Sequence, residues 1–201
     1  MTVNIDWDDQ TRTDLINAIA SKINAKTYLE IGCASNDNFN KVDVSHKVGV
    51  DPEQGGTIRC DSDTFFLANK ETFDLIFIDG LHEHHQVIAD VLHAMAVLNP
   101  NGAIVLHDCL PTRESVQTVP PSEGVWLGDV WKAIFYFNDS HGFDVAVTKI
   151  DWGCGMIRKR DSATTAIATT PTKWLTATYK DFEENYDKLK LLSFEEAIDW
   201  I

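Results

Sequence analysis

Apolar residues recur along this chain in two rhythms. Between Thr11 and Asn24, Leu15, Ile16, Ile19 and Ile23 return at helical spacing and predict an amphipathic helix. Short apolar runs follow, each closed by a glycine or an acid. Thr27-Tyr28-Leu29-Glu30-Ile31-Gly32 reads as a buried strand, Val48-Gly49-Val50-Asp51-Pro52 as the end of a second, and Thr57-Ile58-Arg59-Cys60-Asp61 as a weaker third. Phe73-Asp74-Leu75-Ile76-Phe77-Ile78-Asp79-Gly80 is the strongest strand signal in the chain. A helix is predicted next, with Val87, Ile88, Val91, Leu92 and Met95 on one face, stopped by Asn99-Pro100-Asn101-Gly102. Ala103-Ile104-Val105-Leu106-His107-Asp108 is a further continuous strand.

Strands apolar on both faces and alternating with helices point to an α/β fold with a parallel sheet covered on both sides. Glu30/Gly32, Asp51, Asp79 and His107/Asp108 then stand at the carboxyl edge, where open α/β sheets bind ligands. Burying bare carboxylates costs several kcal/mol each unless they are paired or bonded, so packing alone does not explain this set.

The second half is less regular. Cys109 to Leu127 contains Pro111, Pro120, Pro121 and Gly124 and reads as a long loop, a common form for a lid or binding loop. Gly128-Asp129-Val130-Trp131-Lys132-Ala133-Ile134-Phe135-Tyr136-Phe137 reads as a helix. Phe143–Val147 and Met156–Arg158 flank Asp151-Trp152-Gly153 as a hairpin. Ser162 to Thr172, rich in Thr and Ala, reads as a linker. Tyr179 to Ile201 carries two helical patterns around a capping box of Ser193 and Glu196.

The 201 residues suit one domain with a full core. We divide them into an N-terminal helix (8–24), a core (26–160) and a C-terminal helical tail (173–201). A net charge of −14 argues against nucleic acid or an anionic membrane as a partner, because phosphates need Lys and Arg to neutralise them. The expected partner is a small-molecule acceptor, and a homodimer stays open. Cys33, Cys60, Cys109 and Cys154 match no zinc spacing and read as reduced thiols. No secretory leader or membrane span is evident, so the expected location is the cytoplasm.

Leu29-Glu30-Ile31-Gly32-Cys33-Ala34-Ser35-Asn36 is a strand entering a glycine turn, which lets a ligand approach the backbone. The dinucleotide pattern fails, since Ala34 and Asp37 stand where its second and third glycines belong. Asp51 lies 19 residues beyond Gly32 at the end of the next strand, placed either to accept hydrogen bonds from ribose hydroxyls or to cap a turn. In order, Leu29-Glu30-Ile31-Gly32, Gly49-Val50-Asp51, Asp61-Ser62, the run from Phe73 to Asp79-Gly80-Leu81-His82, and the run from Pro100 to His107-Asp108 resemble the class I S-adenosylmethionine-dependent methyltransferases. The likeness spans about Thr27 to Arg158 and is nearest the small O-methyltransferase-like subgroup, which Gly128-Asp129-Val130-Trp131-Lys132 also resembles.

The resemblance implies a Rossmann-like, seven-stranded, mostly parallel sheet with helices on both faces and a terminal antiparallel hairpin. It implies S-adenosylmethionine as cofactor. Glu30 and Gly32 would sit against its methionine part, Asp51 at the ribose, Asp61 and Ser62 near the adenine, and Asp79 toward the sulfonium and the substrate. The first turn departs from the family, with Ala34 and Asn36 at the usual second and third glycines. Ala34 is small, and Asn36 adopts positive φ more readily than most residues.

Asp79, His82, His107 and Asp108 are the candidate catalytic residues. Catechol-type relatives hold magnesium with an aspartate after the fourth strand and an Asp-Asn pair after the fifth. Asp79 and Asp108 match the acids that would hold magnesium or a similar divalent ion, and His107 is a third candidate ligand only for a softer divalent metal. Cys109 replaces the asparagine and is a poor ligand for a hard cation. Without a metal, His82 or His107 would be the general base; His107 merely bonding neighbouring loops is the structural alternative. His82-Glu83-His84-His85 fails the H-E-x-x-H zinc pattern. His84, His85 and His93 read as exposed and His82 as inward-facing. Trp126, Trp131, Phe135 and Tyr136 read either as an apolar acceptor wall or as core. Asp181, Glu183, Glu184 and Asp187 read as a solvent face.

The expected activity is O-methylation of a small hydroxylated acceptor, a sugar or secondary metabolite. The competing readings are a non-catalytic nucleoside-binding protein, an NAD-dependent oxidoreductase, and a metal-dependent hydroxylase-like relative of the same fold.

Overall fold

The computed structural model of the protein describes residues 3–160 and 171–201. The linker predicted from Ser162 therefore lies, through Thr170, outside the described residues. The first helix, α1 (Arg12–Ile23), starts from a capping box of Thr11 and Asp14 and ends at Asn24 in a left-handed conformation. The sheet contains β1 (Thr27–Ile31), β2 (His46–Val50), β3 (Phe73–Ile78), β4 (Leu98–Leu106), β5 (Phe143–Thr148), β6 (Cys154–Lys159) and β7 (Leu191–Leu192). Its order is β2-β1-β3-β4-β6-β5-β7. Strands β2, β1, β3 and β4 are parallel, and β6 runs antiparallel to both β4 and β5. This is the Rossmann-like sheet that the resemblance implied.

Two apolar layers follow from the period-2 alternation of strand side chains. Leu29, Ile31, Ile76, Ile78, Ile104 and Leu106 face one side, against α3 (His84–Val97) and α4 (Trp131–Asn138). Tyr28, Leu75, Phe77 and Val105 face the other, against α1 and the last helix, α6 (Phe194–Trp200). Each fully buried side chain of this size contributes about 1.5–3 kcal/mol relative to exposure. The tail also holds α5 (Tyr179–Asn185), whose Phe182 plugs into Trp131. Glu184 and Asp187 face solvent, Glu183 is half-buried, and Asp181 belongs to the capping box of α5.

Several predicted elements come out differently. Residues 57–61 do not form a strand; Val50 and Ile58 share a single bridge. Gly55 and Gly56, both at positive φ, fold the chain back so that Thr57 and Ile58 N–H groups both donate to the Gly49 carbonyl. The seventh strand is instead β7, too short to show periodicity. A helix absent from the sequence reading, α2 (Ser62–Ala68), starts from Asp61, which accepts from the Thr64 N–H. Asn99-Pro100-Asn101-Gly102 lies within β4 rather than in a loop. The β3–β4 register jumps between Phe73 and Leu75, and that irregularity accommodates Pro100. Leu92 is exposed, and Asp90 and Ala94 are buried in its place.

The carboxyl edge is drawn together at Gly32. Its φ is +85°, and a Cβ there would stand 2.1 Å from the Asp79 carbonyl oxygen. Ala34 (φ 43°) and Asn36 (φ 68°) keep the left-handed backbone that glycines adopt without strain. We therefore expect opposite outcomes from neighbouring substitutions in thermal unfolding. Gly32→Ala should destabilise by about 3 kcal/mol or more, since overpacking adds to backbone strain. Ala34→Gly should raise stability by about 0.5 kcal/mol, the left-handed penalty of alanine outweighing the entropy that glycine adds to the unfolded chain.

Candidate functional site

A cavity of about 530 Å³ opens over the carboxyl ends of β1, β2 and β3. Gly32, Ala34, Asp51, Asp61, Ser62 and Asp79, all singled out from the sequence, line it. A hollow of about 600 Å³ lies beside Pro100, Arg158 and Arg160, away from these strand-end acids. We place the site at the first, because the strand-end chemistry gathers there.

Asp51 shapes its wall from within. Oδ2 accepts from the N–H groups of Cys33 and Ala34 (2.9 Å each), and Oδ1 from those of Glu53 and Gln54 (2.8 Å each). Burial opposes the charge, but these backbone donors hold the carboxyl below its usual range. Asp51 thus ties the turn after β1 to the turn after β2. Asn36 adds a second tie by accepting from the Gly56 N–H (2.7 Å).

Glu30 does not line the cavity. It shares its sheet face with Tyr28 and is buried, accepting hydrogen bonds from the Tyr28 hydroxyl and from Asn38 Nδ2 (2.8 Å). Burial pushes its carboxyl up to about 7 despite those two donors.

On the other side of Asp79 lies a charged cluster. His82 Nε2 is 3.3 Å from Asp79 Oδ1, and its Nδ1 is 3.2 Å from Asp108 Oδ2. That Nδ1 is shielded from solvent and has no hydrogen-bond partner among the described residues. His107 Nδ1 is 3.2 Å from both Asp79 and Asp108, and Nε2 is 3.6 Å from Asp151. Burial would lower the His107 pKa, but Asp79, Asp108 and Asp151 outweigh it and raise it well above its usual value. Desolvation would raise Asp79, yet His107 and His82 hold it well below the carboxylate range. The candidate residues Asp79, His82, His107 and Asp108 are therefore brought together. His82 is 19% exposed and His107 only 6%, so His82 is the imidazole a ligand can reach.

Sequence reasoning missed three members. Arg12, at the start of α1, donates to Asp151 Oδ2 from its backbone N–H (3.1 Å) and Nη1 (3.0 Å), and its Nε lies 3.9 Å from Asp79. Asp151 heads three successive left-handed residues, Asp151, Trp152 and Gly153. The turn signature was visible, but not its contact with a helix 139 positions away. Asp129 accepts from the His84 N–H and Nδ1 (2.7 Å each), so His84 is held rather than exposed as predicted. Despite burial, His84 and Lys132 hold Asp129 at about 2. Gly128 fits because a Cβ there would lie 1.7 Å from the His82 carbonyl oxygen.

Trp126 stacks on His82 (5.1 Å between ring centres), whereas Trp131, Phe135 and Tyr136 are core. His85 and His93 are exposed, as expected. All four cysteines are free, and the Cys109 thiol turns into the core toward the Leu106 and His107 carbonyls. Asp79, His82 and Asp108 each offer a donor atom within 4.8 Å of the others. His82 rather than His107 completes that group. No helix among the described residues is long and apolar enough to cross a membrane.

Part of the chain resembles a known sequence family. Residues 38–109 match the model described as a methyltransferase domain. The fold is shared with an O-methyltransferase from Bacillus cereus in complex with SAH (TM-score 0.55, 13% identity, covering 76% of this chain and 83% of that one). It is also shared with an SAH-bound methyltransferase of Podospora anserina (0.53, 18%, 76% and 80%). A further match is the O-methyltransferase TomG from Streptomyces achromogenes, involved in tomaymycin synthesis and in complex with SAM (0.56, 11%, 74% and 79%). No curated protein matches the chain. Residues 38–109 thus resemble a methyltransferase domain, and the fold is the one these methyltransferase structures share.

The raised Glu30 carboxyl has a consequence for stability. The native state keeps a proton that the unfolded chain releases near 4.5, so stability falls as pH rises from about 4.5 to 7. The loss contributed by this group is on the order of 3 kcal/mol. Glu30→Gln should flatten the slope, read as denaturation midpoints across that range; parallel wild-type and variant curves would refute it.

Proposed function

We propose that the protein transfers a methyl group from S-adenosylmethionine to a hydroxyl oxygen of a small acceptor, a sugar or secondary metabolite. One observation carries this reading: Asp79 lines the cavity and is also bonded into the cluster with His82 and Asp108. A sulfonium in the cavity and an acceptor against the cluster would then meet at Asp79, as in-line transfer requires. Ala34 and Asn36 preserve the turn's backbone, which favours a working cofactor site over a non-catalytic relative.

The sulfonium is already a good leaving group, so the chain has to align the acceptor and take its proton. His82, the more exposed of the two imidazoles, is the candidate base through Nδ1, which faces Asp108 and is shielded from solvent. Asp79 orients its ring at Nε2, as a carboxylate partner does for a catalytic imidazole, and Trp126 packs its face. Asp108 stands beside Nδ1, where it can accept from an acceptor hydroxyl. His107 is buried and steadies Asp79 and Asp108. The mixture of carboxylates, imidazole and an indole face suits a polyhydroxylated acceptor, and the loop from Cys109 to Leu127 brings Trp126 to that side.

A second reading is favoured by the orphaned Nδ1 of His82. Asp79, His82 and Asp108 form a mixed nitrogen and oxygen donor set, which fits a divalent cation such as manganese better than magnesium. Such a cation would bind acceptor oxygens and lower the pKa of the attacking hydroxyl.

Asp108→Asn should lower kcat at least about 100-fold, in the range of lost acid–base function, while leaving calorimetric SAH affinity within about 2-fold. Unchanged turnover would remove the cluster from the mechanism. Chelation separates the two readings. If a cation takes part, EDTA should abolish turnover and manganese restore it, with Asp79→Asn losing manganese binding in equilibrium dialysis. Full activity after chelation would leave His82 acting alone.

A further inference from the structure

We infer that the cavity selects a 6-amino purine over a 6-oxo purine through Gln86, whose amide is held in one orientation by the buried carboxyl of Asp90. The inference rests on the cofactor reading above, with the base at the Asp61–Ser62 end of the cavity. Asp90 is 1% exposed and stands among Val87, Val91 and Ala94 on the buried face of α3. Neither the packing of that helix nor the reacting edge uses it. Burying a carboxyl costs free energy unless its oxygens are bonded. Gln86 Nε2 donates to Asp90 Oδ1 (3.1 Å), and the Ser62 hydroxyl also bonds to this carboxyl. Gln86 and Ser62 both line the cavity. The buried acid of α3 thus acts on two residues of the cavity wall.

The network fixes which way the Gln86 amide faces. The same Nε2 lies 3.2 Å from Ser62 Oγ and 3.2 Å from Asp63 Oδ1. Two carboxylates accept there, and only the NH2 end of the amide can donate to them. The carbonyl oxygen, Oε1, has no hydrogen-bond partner among the described residues and is the atom left for a bound base. Oε1 can only accept. The exocyclic amine of adenine donates, whereas the O6 of hypoxanthine would set acceptor against acceptor. Turning the amide over would relieve that clash only by placing Oε1 against Asp90 and Asp63. Asp61 and Asp63 are exposed, so water competes for their oxygens and they add acceptors without a fixed direction. Asp90 is thus a positioning residue, and Gln86 makes the contact that reads the base.

Calorimetry with SAH and with S-inosylhomocysteine, in which hypoxanthine replaces adenine, tests this. The wild-type protein should bind SAH about 10- to 100-fold more tightly, as an acceptor left without a donor implies. Gln86→Met, which keeps the length of the side chain without the amide, should weaken SAH and cut that preference at least about 5-fold. Asp90→Asn should also narrow the preference, by weakening SAH and tightening the inosyl compound, because the Gln86 amide is then free to turn over. A merely structural role for Asp90 would weaken both ligands alike and keep the preference, and that result would overturn its assignment. Gln86 is only half-buried, so Gln86→Met still decides the matter should Asp90→Asn not fold. A full preference retained in Gln86→Met would overturn the inference, as would a wild-type protein that binds the two ligands equally. A wild-type protein that binds neither would instead sink the cofactor reading itself, and this inference with it.

Discussion

Three carboxylates, Asp79, Asp108 and Asp151, converge on one buried imidazole, that of His107. Like charges in so small a volume repel. Their coexistence depends on cations supplied from separate parts of the chain: Arg12 from α1, His82 after β3, and His107 itself after β4. The balance also explains why α1 docks where it does. Its apolar face, Leu15, Ile16 and Ile19, packs against the sheet, and that sets Arg12 between Asp79 and Asp151. Removing one member leaves a charge of the other sign without its partner, which is costlier than the pair is favourable.

Backbone strain is concentrated in the same place. Asp108, Asp151 and Trp152 have positive φ without being glycine, and Ala34 does so across the cavity. Such residues cost on the order of 1–3 kcal/mol each and persist only where the surroundings over-determine them. Here the surroundings are hydrogen bonds from neighbouring strand ends: Cys109 N–H to the Gly153 carbonyl and Leu110 N–H to that of Trp152. The turn between β5 and β6 is thereby locked to the segment after β4, and Asp151 is delivered to His107. Strain and charge together mark this edge as a place shaped for something other than stability.

How much of this could be read in advance follows from the range of the interactions. The strands β1, β3 and β4 declare themselves because continuous burial leaves a continuous apolar run. The clustering of Asp79, His82, His107 and Asp108 follows from strand ends sharing an edge, so it too is legible. Residues 57–61 misled because apolar content does not reveal that two glycines reverse the chain onto Gly49. Arg12 and Asp151 carried no local signal, since a surface-like arginine and a turn aspartate acquire meaning only from each other. The direction of Glu30 is a matter of strand parity. It stands two residues after Tyr28 and therefore shares the face packed under α1, not the cavity.

Gly128-Asp129 ties the loop from Cys109 to the reacting edge more closely than its position in the chain suggests. The Asp129 N–H donates to the His82 carbonyl, while the Asp129 carboxylate receives the first N–H of α3. Both ends of the short segment carrying His82 are thus held by one residue, and the absence of a side chain at Gly128 lets the two strands of chain touch. Trp126, two residues before that contact, is consequently delivered onto the face of the His82 ring. A loop anchored this way cannot shift at its far end without disturbing the imidazole. The course of the loop and the placement of the His82 ring are therefore one structural variable.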